Sequence, residues 1–165
     1  MLDGDEEARL ISALEPTGRR NRWMLPLVRV ALETAMRRGE LLSLRWTHVE
    51  LDARVARLDM TKNGKPRTVP LSSNAVQILR NTPKSESGLV FPIGIAAMEA
   101  AFKRAALRAK VCDLHFHDLR HTATTRMATK LPNIIELAAV TGHETVQMLK
   151  RYYHPDAESL ARKLD

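Results

Sequence analysis

Apolar residues recur every three or four positions at Leu25, Val28, Leu32 and Ala35. This spacing predicts a helix over Arg22 to Met36, with Pro26 in its first turns. A shorter helix is expected from Asp5 to Leu14, acidic at its start and ended by Pro16-Thr17-Gly18. Gly39 is read as an interruption, with helix resuming from Glu40 to Trp46. The pattern then switches to β-branched and alternating residues over Val49–Leu51, Arg54–Met60 and Arg67–Leu71. Asp52-Ala53 and Asn63-Gly64 are the turns between them, and Asn-Gly is a strong hairpin signal. Beyond Pro70 the chain reads as helix again. Ser72 or Ser73 caps a helix to about Arg80, and Thr82 to Gly88 is a polar loop. Leu89–Pro92 is extended. Ile95 to Lys110 is amphipathic, with Ala97, Ala101, Ala105 and Leu107 expected inward. His117 to Lys130 places Leu119, Ala123, Met127 and Ala128 inward. Asn133-Ile134-Ile135-Glu136 has the form of a capping box opening a helix that stops at Gly142. Two last helices are expected over Glu144–Arg151 and Asp156–Leu164.

The expected fold class is therefore α+β and mainly helical, with a small antiparallel three-stranded sheet beside a helical core. A length of 165 residues suits a single domain, 1–165. Aromatics make up only 4% of the chain, so aliphatic runs such as Leu25–Leu32, Leu41–Leu44 and Ile134–Val140 must fill the core. The net charge of +7, with arginines clustered at Arg19, Arg20, Arg22, at Arg37, Arg38 and at Arg120, Arg126, points to a polyanionic partner such as nucleic acid. The single cysteine, Cys112, excludes an internal disulfide framework or a four-cysteine zinc site. No run approaches a membrane span and the acidic start is no signal peptide, so a cytosolic location is expected.

Four groups of residues could carry chemistry. His117 and Arg120, three apart, share a helix face, where a guanidinium can grip phosphate oxygens and an imidazole can take a proton. The same spacing also fits an ordinary solvated face. His115, His117 and His121 offer a zinc reading, which Arg120 between them opposes. Thr141-Gly142-His143 precedes Arg151-Tyr152-Tyr153-His154. A tyrosine oxygen can hold a covalent intermediate when cations assist it, or a tyrosine can simply seal a core edge. His143 and Tyr152 are nine residues apart, about 13 Å along a straight helix and on opposite faces, so only the fold can bring them together. Arg37-Arg38-Gly39-Glu40 could reach a phosphate, with Glu40 orienting an arginine. Lys62, beside the Asn63-Gly64 turn, could protonate a leaving oxygen or could stand in solvent.

Together these groups resemble the tyrosine recombinases, the phage integrase family. Thr34 to Trp46 is similar to the family's first arginine box, and Thr61 to Leu71 to its lysine hairpin. His117-Asp118-Leu119-Arg120-His121-Thr122 is similar to its His-x-x-Arg box. Gly142-His143 with Arg151-Tyr152-x-His154 matches its closing box. The likeness covers roughly residues 22–155. It implies that Tyr152 attacks a DNA phosphodiester, leaving a 3′-phosphotyrosyl link and a free 5′-hydroxyl. It implies that Arg37 and Arg120 hold the non-bridging oxygens and that His143 assists at the same phosphate. His117 would be the general base, Lys62 the general acid and Glu40 a supporting residue. The bond energy stays in the phosphotyrosine and side chains supply the cations, so neither ATP, metal nor another cofactor is implied.

The chain departs from the family pattern at Thr141, where leucine is common, and doubles the tyrosine with Tyr153. Family members usually carry an N-terminal helical domain that clamps the other face of DNA. Only about 20 residues precede the matching region, so that domain is expected to be absent. The resemblance implies double-stranded DNA as partner, a tetramer on DNA, a monomer in isolation, and a bacterial or phage origin. Asp156 to Asp165 is expected to supply the segment that docks on a neighbour.

Overall fold

The computed structural model describes residues 2–18, 20–59, 66–152, 157–162 and 164. Helix α1 runs over Gly4–Leu14, and Asp3 caps it by accepting from the Glu6 backbone N–H at 2.7 Å. Helix α2 covers Met24–Thr34, shorter than its apolar period suggested, because Ala35 turns left-handed at φ 52°. Helix α3, Arg38–Ser43, includes Gly39 instead of breaking at it, so the interruption falls at residues 35–37. Arg37 sits at the N-cap of α3 and Glu40 at its third position, where the carboxylate accepts from the Arg37 N–H at 2.7 Å. A 3-10 turn, Trp46–His48, replaces the end of the expected helix.

The sheet is antiparallel in the order β1 (Val49–Glu50), β2 (Val55–Leu58), β3 (Arg67–Pro70). Its register pairs Ala56 with Val69 and Leu58 with Arg67. The strands that flank Lys62 are thus fixed, while Lys62 and the Asn63-Gly64 turn lie outside the described residues. Helix α4, Ser73–Asn81, is capped by the Ser72 hydroxyl.

Helix α5, Ile95–Arg108, buries Met98, Phe102, Ala105 and Ala106, whereas Leu107 is 69% exposed. The inward stripe is therefore set by the bulky Met98 and Phe102, and not by the alanine period that runs through Ala97. Helix α6, Phe116–Lys130, and helix α7, Ile134–Thr141, follow the expected bounds to within a residue. Asn133 caps α7 through the Ile135 N–H. The chain then forms a 3-10 helix, Val146–Tyr152, before the short helix α8, Ala157–Ala161.

The main core gathers Leu10, Leu27, Val28, Leu41, Phe91 and Leu119, all fully buried. Helix α2 lies at its centre, packed on α4 and α6. A smaller cluster of Ala128, Leu137 and Leu149 sits between α6, α7 and the 3-10 segment, with Tyr152 packed against it. A 3-10 helix repeats every three residues, so Leu149 and Tyr152 share one face. Leu149, with no exposed surface, is the anchor that sets where the tyrosine stands.

Two substitutions separate these layers. Leu41→Ala should lower global stability by about 2–5 kcal/mol in denaturant unfolding. Leu149→Ala should instead speed hydrogen exchange of the amides around 148–152 by at least about tenfold, while α2 amides hold their protection.

Candidate active site

The end of α2 and the start of α3 place Arg37 and Glu40 on the wall that faces α6 and α7. Glu40 is buried, and its two oxygens take four donors. Arg37 gives its backbone N–H at 2.7 Å and Nη1 at 3.1 Å, and Arg67 on β3 gives Nη2 at 2.9 Å and Nε at 3.3 Å. Burial pushes the Glu40 carboxyl up, but the Arg67 hydrogen bond and charge, then those of Arg37, outweigh it and hold its pKa below the ordinary 4.5. One carboxylate thus orients two arginines. Each arginine also donates to a backbone carbonyl: Arg37 Nη2 to Gly142 at 2.7 Å and Arg67 Nη1 to Val140 at 2.6 Å.

The left-handed residues on either side of this cluster are part of its construction. Ala35 turns its carbonyl to Arg120 Nη1 at 2.5 Å. Gly142, at φ 69°, ends α7, and a Cβ there would lie 2.7 Å from Arg67 Nε. The glycine is needed both for the turn and for the close approach of the guanidinium.

Arg120 is only 5% exposed. Burial, then the neighbouring Arg37, draws its pKa down to about 10, which leaves it charged at neutral pH. Its Nη2 lies 3.3 Å from His143 Nε2. The Thr141 hydroxyl donates to the Leu137 carbonyl at 2.7 Å, so it can only accept from His143 Nδ1 at 2.6 Å. The network therefore assigns the ring hydrogen to Nδ1 and leaves Nε2 as an acceptor for Arg120. Burial and the charges of Arg120, Arg37 and Arg151 push His143 down to about 4, so the ring is neutral.

Tyr152 reaches this cluster through the turn at Gly142 and the 3-10 segment. Its ring lies 6.4 Å from that of His143, centroid to centroid, and Arg151 Cζ lies 5.1 Å from its ring centre. The Tyr152 hydroxyl lies 2.5 Å from His121 Nδ1, and the two rings stack at 6.2 Å. His117, one turn earlier on α6, is exposed and meets His121 edge to face at 5.0 Å. Burial, then Arg120, lowers His117, and burial, then Arg151, lowers His121, so both rings are neutral near pH 7.

Arg37, Glu40, His117, Arg120, His143 and Tyr152 thus gather in one place, from four separate parts of the chain. Lys62, Tyr153 and His154 lie outside the described residues, as do Asp156 and Asp165 of the proposed docking segment. Sequence reasoning missed three contributors. Arg67 was readable only as part of the lysine hairpin, although its register on β3 directs it at Glu40. Thr141 stood out only as a departure from the family pattern. His121 was weighed only as a metal ligand, and among the described residues no group of three or more such ligands assembles.

Three arginines, Arg37, Arg67 and Arg120, surround a single carboxylate, an excess of positive charge that suits a phosphodiester. A cleft of about 1430 Å³ opens beside them, lined by Arg37, Arg38, Lys103, Lys110, His115 and His117. It is larger than the ~300–1,000 Å³ typical of small-molecule sites.

A profile of the phage integrase family matches residues 1–159. The chain belongs to that family. Among curated relatives it is 42% identical over 165 residues to the shufflon-specific DNA recombinase of Escherichia coli, covering 99% of this chain and 42% of that protein. It is 30% identical over 178 residues to tyrosine recombinase XerC of Xanthomonas campestris, covering all of this chain and 54% of the relative. The chain thus spans about half the length of these relatives or less. Among solved structures, the catalytic domain of bacteriophage HP1 integrase superposes with a TM-score of 0.79 at 29% identity, covering 100% of this chain and 94% of that one. A XerH site-specific recombinase bound to its difH substrate shares the fold at a TM-score of 0.74 and 19% identity, covering 99% of this chain and 53% of that one. The integrase-family fold of this chain is therefore the expected α+β one, with the three-stranded antiparallel sheet in place.

The His143 geometry gives a pH prediction. Nitrogen NMR of the DNA-free protein should show a neutral Nδ1–H ring at pH 6 that titrates near 4. Its folded value lies below the ordinary 6.5, so the unfolded chain binds the extra proton first between those values. Stability measured by denaturant should accordingly fall as pH drops from about 6.5 toward 4, and His143→Gln should remove part of that fall. Separately, Glu40→Gln should destabilise the fold by about 3 kcal/mol, since Arg67 and Arg37 lose their shared counter-charge.

Proposed function

We propose that this chain is the catalytic part of a site-specific DNA recombinase. It breaks and rejoins double-stranded DNA through a 3′-phosphotyrosyl intermediate, without ATP or metal. The observation that carries this reading is the convergence of the Tyr152 hydroxyl, the buried Arg120 and His143 around an arginine cluster with excess positive charge.

The scissile phosphate takes the remaining N–H groups of Arg37 and Arg120, which neutralise the charge that grows on the non-bridging oxygens in the transition state. Tyr152 Oη attacks phosphorus and the bond to the 5′-oxygen breaks. The phenol proton leaves to an imidazole of α6, the role that the family resemblance gives to His117. Lys62 protonates the departing 5′-oxygen. Strand β3, which follows it in the sequence, is tied to the cluster through Arg67 and Glu40. His143 Nε2 has no hydrogen to give in the DNA-free state, so it donates to the phosphate only after taking up a proton. An arriving anion favours that step by offsetting Arg120 and Arg37.

The partner is double-stranded DNA, and the acting assembly is a tetramer on two duplexes formed from chains that are monomeric alone. No helix among the described residues is long and apolar enough to cross a membrane. The place of action is the cytoplasm of a bacterium.

The test is a nicked suicide substrate, incubated with protein in EDTA and run on a denaturing gel. Wild type and Tyr153→Phe should give a covalent protein–DNA band, and Tyr152→Phe should give none. A band that survives in Tyr152→Phe, or that appears only with added divalent metal, would contradict the proposal.

A further inference from the structure

We propose that His121 is a catalytic residue of this site: its Nδ1 is the immediate acceptor of the Tyr152 proton. The inference rests on the phosphotyrosyl reading above and gives a role to His121, to which the resemblance assigns none. Three observations carry it. The Tyr152 hydroxyl is 2.5 Å from His121 Nδ1, a hydrogen-bonding contact. The rings stack at an interplanar angle of 29°, and the phenol is held from below by the small cluster anchored on Leu149. His117 meets His121 edge to face at 5.0 Å, and among the described hydrogen bonds the Tyr152 hydroxyl is paired with His121 alone.

The surroundings fit the role. His121 is half-buried on α6. Around it lie His117, Asp118 and Arg120 from its own helix, Arg151 and Tyr152 from the 3-10 segment, and His143 from the turn after α7. Burial and then Arg151 keep the ring neutral at pH 7. A neutral ring with its hydrogen on Nε2 offers Nδ1 as an acceptor to the phenol O–H. As the Tyr152 Oη–phosphorus bond forms, the phenolic proton passes to Nδ1. The phosphorus–O5′ bond breaks, and Lys62 gives its proton to the leaving oxygen. Arg151 beside the phenol ring favours the anionic form of the nucleophile during the transfer. Religation runs the same steps in reverse, with His121 returning the proton to Tyr152. His117 stands behind His121, where it tunes the acceptor through the edge-to-face contact.

The experiment measures single-turnover adduct formation on the suicide substrate for wild type, His121→Ala, His121→Asn and Lys62→Ala, over pH 6–9. Asparagine keeps a hydrogen-bonding group near the Nδ1 position but cannot take a proton. Both His121 variants should be slower on the order of 10²-fold. The wild-type rate should level off above pH 7, while the residual His121→Asn rate should climb about tenfold per pH unit as solvent ionises the phenol. A substrate with a bridging 5′-sulfur, whose leaving group needs no acid, should rescue Lys62→Ala and leave both His121 variants slow. A His121→Asn protein with wild-type rate and profile, or rescue of the His121 variants by the bridging sulfur, would overturn the proposal. If wild type forms no adduct at all, the phosphotyrosyl reading fails first. Nitrogen NMR then decides the contact alone: an Nε2–H tautomer of His121 that changes in Tyr152→Phe is expected, and an Nδ1–H tautomer would refute it.

Discussion

Glu40 lies under the whole site. A buried carboxylate next to one arginine is a common arrangement, but here one side chain takes both a guanidinium from its own helix start and a guanidinium from β3. The geometry of Arg37 depends on it directly. The attachment of β3 to α7, through Arg67 and the Val140 carbonyl, depends on it at one remove. Without that anion, Arg37, Arg67 and Arg120 would repel one another in a partly dry environment where such charges are costly. With it, the cluster keeps its net positive charge and a fixed shape. An anionic substrate then meets arginines that are already oriented, so little is lost in ordering them at binding.

The second constraint is the route from α7 to Tyr152. Straight helix would have put His143 and Tyr152 on opposite faces. The left-handed turn at Gly142 and the three-residue repeat of the following segment bring the rings to 6.4 Å instead. Gly142 does two jobs at once, since its carbonyl accepts from Arg37 and its missing side chain leaves room for Arg67. Leu149 fixes the depth at which the segment docks. Tyr152 is held by a small satellite cluster and not by the main core.

Much of this was legible in the chain. The capping signals at Ser72 and Asn133 and the stop at Gly142 gave element ends nearly correctly, because local hydrogen bonding decides them. The family boxes named the residues that converge. Spacing failed where tertiary contacts override local preference. The alanine period suggested one face for α5, but Met98 and Phe102 chose another by burying more area. Gly39 looked like a break, yet the chain turns at Ala35, because Arg120 requires that carbonyl. Proximity across elements was the least visible feature. Nothing local indicates that Arg67 reaches Glu40, or that His121, and not His117, meets the tyrosine hydroxyl. Thr141 carries its information only once its hydroxyl is seen to donate to Leu137, which leaves it an acceptor for His143.

The central claim is that the cation cluster and the Gly142 turn deliver one particular tyrosine oxygen to a DNA phosphate. The most direct measurement is mass spectrometry of the protein trapped on DNA, digested with nuclease and protease. A nucleotide attached through its 3′-phosphate to Tyr152 is the predicted result. Attachment to Tyr153, or linkage through a 5′-phosphate, would contradict the account.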